Sequence, residues 1–131
     1  MSRFLLDSDV IIWHLRGRDE VTEMLKGMQS YGVPGCSAIS ILEVEVGMKK
    51  SEEEKTSRFL QALKVFEVNR EVASQAAKIV RDQKSKGQTL GLGDAIIAGT
   101  CLLNHLTLVT YNRKHYPVET LEFFSVPLLN H

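Results

Sequence analysis

The stretch Phe4-Leu5-Leu6-Asp7-Ser8-Asp9-Val10-Ile11-Ile12 decides how the rest of the chain is read. Three apolar residues stop abruptly at an acid, the pattern of a short strand buried on both faces. Val10 to Arg16 then reads as a helix, closed by Gly17. The same alternation of strand and helix continues outward. Val21, Met24, Leu25 and Met28 share one face of a helix predicted over Asp19 to Tyr31. Gly32 to Gly35 is a turn, Cys36 to Ile39 a second strand, and Ser40 opens a helix carrying Leu42, Val46 and Met48. The mixed charges from Lys49 to Lys55 fit a solvated loop and first helical turn, before Phe59, Leu60 and Leu63. Val65 to Val68 reads as a third strand, and Asn69 caps a helix from Arg70 to about Lys86, ended by Gly87. Ala95 to Asn104 is almost wholly apolar and is expected to be a central, buried helix. Leu106 to Thr110 is a further strand, and Phe123-Phe124 lies in a last one. No tight two-residue hairpin occurs. The prediction is an α/β fold, one domain over residues 1–131, with a mainly parallel sheet covered by helices on both faces.

Composition narrows the function. The 131 residues are 44% hydrophobic and 24% charged, ordinary for a globular domain and wrong for wholesale disorder. Lys+Arg and Asp+Glu are 16 each, so the net charge is zero and binding through bulk attraction to nucleic acid is excluded. Two cysteines, Cys36 and Cys101, stand apart in apolar sequence and read as small buried hydrophobes of a reducing compartment. Asp7 interrupts the N-terminal apolar run too soon for a signal peptide, and no run approaches the ~20 residues of a membrane span. A cytoplasmic protein without membrane attachment is expected.

Open parallel sheets bind ligands beyond the carboxyl ends of their strands. Asp7 follows the first strand, Glu43 lies a helical turn after the second, Asp94 begins the buried helix, and Asn112 follows the strand ending at Thr110. Each has a structural alternative. Asp7 or Ser8 serves as a helix cap, Ser40-Ile41-Leu42-Glu43 matches a capping box, and Asp94 suits a helix dipole. Thr110-Tyr111-Asn112 is ordinary turn chemistry, and Asp9 is open between solvated charge and a site role. Jointly they point elsewhere. Two carboxylates 4 Å apart repel by about 4 kcal/mol at an effective dielectric near 20. A hard divalent cation relieves that repulsion, and an all-oxygen donor set favours magnesium or manganese over zinc. The chemistry so indicated is metal-dependent phosphoryl transfer.

Four segments, Leu5-Leu6-Asp7-Ser8-Asp9-Val10-Ile11-Ile12, Ile39-Ser40-Ile41-Leu42-Glu43, Gly93-Asp94-Ala95-Ile96-Ile97-Ala98 and Leu108-Val109-Thr110-Tyr111-Asn112, occur in an order and spacing that resembles the PIN-domain ribonucleases. The resemblance is strongest to the VapC-type toxins of toxin–antitoxin pairs. It implies a three-layer α/β/α sandwich and a magnesium- or manganese-dependent endoribonuclease. It implies Asp7, Glu43 and Asp94 as metal ligands, Thr110 as the hydroxyl supporting the first acid, and Asn112 in a place often held by Asp or Asn. Asp9 is implied in a supporting role. The partners implied are an RNA substrate, a VapB-type antitoxin and a second copy in a homodimer. Two departures bear on the number of metals: Asn112 is neutral, and His115 stands where many relatives carry another acid. His115 is read as a surface histidine, with proton shuttling the alternative. His14 and His105 are expected to be exposed, and Trp13 to be core or dimer contact.

Three other readings compete. Asp7-Ser8-Asp9-Val10 also opens the haloacid-dehalogenase-like phosphatases, which need a later hydroxyl, then a lysine and a paired acidic motif; Thr110 comes too late for this, with only Glu119 and Glu122 as acids beyond it. A phosphorelay receiver needs an acid after the third strand and a Lys-Pro pair; Val68-Asn69-Arg70 and the absence of Lys-Pro oppose it. A catalytically inactive PIN scaffold acting as a binding module is the third.

Overall fold

The computed structural model describes residues 2–129. Its elements run β1 (Phe4–Leu6), α1 (Ser8–Leu15), α2 (Asp19–Met28), β2 (Gly35–Ser37), α3 (Ala38–Gly47), α4 (Glu53–Gln61), β3 (Lys64–Phe66), α5 (Arg70–Ser85), α6 (Leu92–Asn104) and β4 (Thr107–Val109). The four strands form one parallel sheet in the order β3-β2-β1-β4. Alternation along each strand splits the core in two. Leu5 and Leu108 face α5 and α6, packed with Ile79, Ala95, Ile97 and Ala98. Phe4, Leu6 and Val109 face the other way, with Val10, Val21, Leu25, Val44 and Leu60 from α1 to α4. The sheet is thus the middle layer of an α/β/α sandwich, as the sequence implies.

The close approach of β2 and β3 explains Gly35. A Cβ there would stand 2.6 Å from a Phe66 ring carbon and 3.0 Å from the Lys64 carbonyl oxygen. On the other side, Gly99 lets α6 press against α5, where a Cβ would meet the Ala76 backbone nitrogen at 3.3 Å.

Several expected boundaries move. The second helix starts are the clearest case: α3 begins at Ala38, because the Ser37 hydroxyl accepts the Ile39 amide at 3.2 Å and caps it. Ser40 therefore lies inside the helix, fully buried and without a hydrogen-bond partner for its hydroxyl, and the Ser40–Glu43 capping box does not form. The third strand ends at Phe66 rather than Val68, since β2 runs out at its partner Ser37. The Phe123 strand reduces to a single parallel bridge with Leu108. His14 is half-buried rather than exposed: its Nδ1 is 2.9 Å from the Thr22 hydroxyl, and its ring lies 4.4 Å from that of Phe59. Trp13 packs on the α1–α4 core, with the Arg16 and Arg18 guanidinium groups over its ring. Asn69 does cap α5, accepting the Val72 amide at 3.0 Å, and Gly87 takes the positive φ that ends it. His105 is exposed, and both cysteines are buried and free. Among the described residues, no helix is long and apolar enough to cross a membrane.

Candidate active site

Register alone brings the first two site residues together. β1 and β4 pair Leu6 with Val109, and the Asp7 amide donates to the Val109 carbonyl at 2.9 Å. The residues that follow, Asp7 and Thr110, therefore leave the carboxyl edge of the sheet side by side. Asp7 is only 7% exposed and is held by three donors. The Ser8 amide donates to Oδ1, and the hydroxyls of Thr110 and Tyr116 both donate to Oδ2, each at 2.8 Å. A carboxylate this buried needs such donors. The capping role of Asp7 on α1 and its place in the site are thus one arrangement.

Asp94 enters from the opposite layer, as the third residue of α6. The turn that carries it is glycine-lined. A Cβ on Gly91 would come within 3.6 Å of Asp94 Oδ2, and one on Gly93 within 3.5 Å of Glu43 Oε2. The Tyr116 hydroxyl, bonded to Asp7, is near enough to Asp94 to influence its carboxyl. Burial pushes the Asp94 carboxyl above the ordinary range; the Tyr116 hydroxyl opposes this, Asp7 adds to it, and His115 lowers it. His115 is exposed but close enough for its charge to be felt at Asp94. Burial, followed by the charges of Asp7 and Asp94, raises the Tyr116 phenol.

Glu43 is exposed on α3, and its Oε1 accepts the Ser8 hydroxyl at 2.6 Å. Asp7, Asp94 and Glu43 therefore border one cleft from three elements. Among the described residues, however, no three His, Cys, Asp or Glu side chains are drawn together tightly enough for a ready-made cation cage. Asp7 is tied to Tyr116 with Asp94 nearby, and Glu43 is tied to Ser8. The donors present are hard oxygens throughout, a set that fits magnesium or manganese and not a thiophilic ion.

Asp9 and Asn112 form a second, adjoining network. Asp9 Oδ1 accepts the Val10 amide at 2.8 Å, while Oδ2 accepts the Tyr111 amide at 2.8 Å and the Asn112 side-chain amide at 3.3 Å. The Asn112 backbone amide donates to the Thr110 hydroxyl at 3.0 Å. Burial and the charge of Asp7 push Asp9 up to about 6, against the pull of its backbone donors. Asp9 is a latch between α1 and the loop after β4, and Asn112 is turned to Asp9. Arg113 and Lys114 are exposed beyond it, with the Arg113 guanidinium 4.4 Å from the centre of the Phe123 ring.

Sequence reading passes over two members of the site, Tyr116 and Ser8. Ser8 is visible only as a possible cap. The signal for Tyr116 is faint: a phenol predicted to be buried needs a partner for its hydroxyl.

Comparison with known proteins agrees with this fold. The PIN domain family model matches residues 4–120. The chain is 32% identical over 114 residues to Ribonuclease VapC10 of Mycobacterium tuberculosis, covering 87% of this chain and 86% of that protein. It superposes on a toxin–antitoxin complex from Klebsiella pneumoniae with a TM-score of 0.75 at 29% identity, over 86% of this chain and 89% of that one. VapBC2 from Rickettsia felis, solved bound to a promoter DNA fragment, shares the fold with a TM-score of 0.86 at 20% identity, over 97% and 100% of the two chains. With an acid-edged parallel sheet of this order and matches across most of its length, the chain belongs to the PIN domain family, among its VapC-type ribonucleases.

Proposed function

We propose that the protein is a magnesium- or manganese-dependent endoribonuclease toxin of a VapBC pair, acting in the cytoplasm. The observation that carries this is that Asp7 after β1, Asp94 in the first turn of α6 and Glu43 on α3 border one cleft at the carboxyl edge of the sheet, Asp7 and Asp94 from opposite layers. Asp7, Asp94 and Glu43 would hold the ion, with Glu43 turning inward from Ser8. A bound ion of this kind lowers the pKa of water and neutralises charge on a phosphodiester. The chain's own residues do the rest. Thr110 and Tyr116 orient Asp7, Ser8 steers Glu43, and the Asp9–Asn112 latch fixes the loop that carries Thr110. Exposed Arg113 and Lys114 stand at the rim, where they would draw phosphates toward an otherwise acidic cleft. Attack by ion-activated water needs no side-chain nucleophile, so direct hydrolysis is the reaction proposed.

The relatives support the partners. The solved neighbours from Rickettsia felis and Salmonella typhimurium are VapBC complexes, and a VapB-type antitoxin is the inhibitor proposed for this chain. A basic antitoxin side chain would complement the acidic cleft. Leu42 and Val46 on α3 and Leu92 at the start of α6 are exposed apolar residues beside the acid-bearing turns, which suits coverage by antitoxin or by a second copy in a homodimer.

The test is cleavage of RNA by the purified chain in magnesium, repeated with Asp7→Asn and Asp94→Asn. Loss of cleavage in both, reversed for neither by added magnesium, is expected. Cleavage at the wild-type rate in both variants would remove the assignment of the site and leave a binding module.

A further inference from the structure

The Tyr116 hydroxyl has an unusual position. Its ring belongs to the core on the α5–α6 side, 3% exposed, packed edge-on to Phe123 at 6.4 Å. Its oxygen emerges from that core at the acidic cleft, donating to Asp7 Oδ2 at 2.8 Å with Asp94 near enough to influence it. An ionised carboxylate offers about four lone-pair directions, two on each oxygen. On Asp7, Oδ2 already receives Thr110 and Tyr116, and Oδ1 receives the Ser8 amide. One direction remains, on Oδ1. Without the Tyr116 hydroxyl, a direction on Oδ2 would open as well, and the carboxylate would be free to swing about its remaining bonds.

We propose that Tyr116 is a positioning residue of the acidic site: by filling Oδ2 of Asp7 from within the core, it leaves Asp7 to meet a divalent cation through Oδ1 alone, while keeping Asp94 alongside. The inference rests on the metal-dependent reading of the site given above. It assigns a role to a residue outside the four segments that carry the family resemblance. Hydrogen-bond partners of ligand groups typically contribute 10–100-fold in metal affinity or activity. Tyr116 is suited to such a role because its ring is buried among many residues of the α5–α6 core, which hold the hydroxyl in place with or without the edge contact to Phe123.

The test is manganese binding to the full chain by calorimetry, alongside RNA cleavage as a function of manganese concentration. Tyr116→Phe keeps the ring and its packing. It is expected to weaken manganese binding ~10-fold or more and to raise the half-saturating manganese concentration for cleavage in parallel, with much of the rate regained at saturation. Phe123→Leu disturbs the packing of the ring but leaves the hydroxyl. It is expected to lower the melting temperature while holding manganese affinity within about twofold. Binding by Tyr116→Phe equal to or tighter than wild type overturns the proposal, as does an equal loss in Phe123→Leu. A measurement on the unmutated protein covers the case in which Tyr116→Phe does not fold. With tyrosines carrying a carbon-13 label at Cζ, magnesium should shift the Tyr116 resonance and leave that of Tyr31, which is 55% exposed, in place. A stationary Tyr116 resonance at saturating magnesium refutes the role. If the wild-type chain binds and cleaves while Tyr116→Phe is unchanged, only this inference falls. If the wild type binds no divalent ion, the metal-dependent reading falls with it.

Discussion

Replacing Thr110 with valine removes one oxygen at the point where both networks join. The Thr110 hydroxyl donates to Asp7 at 2.8 Å and accepts from the Asn112 amide at 3.0 Å. The site is 3% exposed, so water does not replace the lost donor to Asp7 freely. A hydrogen bond to a charged group is worth about 1.5–3 kcal/mol, and a neutral one about 0.5–1.5 kcal/mol. The Asn112 amide lies near the surface and rehydrates, so its loss belongs at the low end. Together these give a loss of about 2–4 kcal/mol for Thr110→Val in chelator. In urea, with a slope of about 2 kcal/mol per molar, the midpoint should fall by about 1–2 M. Thr110→Ser keeps the oxygen and loses a methyl, which costs about 1 kcal/mol. Urea unfolding followed by circular dichroism, with both variants beside the wild type, measures this directly. A loss below about 0.5 kcal/mol in Thr110→Val, or an equal loss in Thr110→Ser, would show that packing rather than hydrogen bonding holds Thr110, and would refute the reasoning.

Two further outcomes are expected. Burial, reinforced by the charge of Lys55, holds the His14 imidazole below its ordinary value of 6.5. The unfolded chain then binds the extra proton first, so this residue contributes stability above pH 6.5 that is lost as the pH falls through that value toward the folded one. Melting temperatures from pH 8 to 5 should drop less steeply in His14→Gln, and identical slopes would contradict the assignment. Asn112→Asp places a second carboxylate where the Asn112 amide nitrogen now lies 3.3 Å from Asp9. The repulsion lies between about 1 kcal/mol in full water screening and about 5 kcal/mol at a dielectric of 20. In chelator it should destabilise at pH 8 and much less at pH 5, where Asp9, raised to about 6, is largely protonated. A penalty independent of pH would rule this out.

The parts of the fold visible in the sequence are those with a local cause. Phe4 to Leu6 is apolar on both sides and became a central strand, and the apolar run from Ala95 became the helix buried against α5. Asp7 and Thr110 were foreseeable as neighbours because each follows a strand directly, and parallel register then does the rest. The capping of α3 was not, because the chain offers two serines three residues apart. Ser40 carries the better local signature, yet Ser37 caps, since pairing with β3 ends β2 at that residue. Tyr116 was hidden for a stronger reason. Its hydrogen bond joins residues 109 positions apart, and no periodicity along the chain records a contact made only by tertiary packing.

The neutral residue in the fourth acid position follows from the same geometry. Asn112 faces Asp9, and Asp9 already carries a raised carboxyl because it is buried near Asp7. An acid at both 9 and 112 would put like charges at hydrogen-bonding distance next to a third at Asp7. An amide at 112 turns that repulsion into a donor, and it closes the latch that also holds the Tyr111 amide. The charge is therefore kept at position 9, on the α1 side of the loop, and taken away from position 112. Val10, Tyr111 and Asn112 engage both oxygens of Asp9 and hold it in the latch, with one acceptor direction left on Oδ1. Outside that latch, Asp7, Asp94 and Glu43 border the cleft from three elements. The zero net charge of the chain conceals local placement: four of its 16 carboxylates, Asp7, Asp9, Glu43 and Asp94, lie at the sheet edge, with Arg113 and Lys114 exposed in the loop after β4.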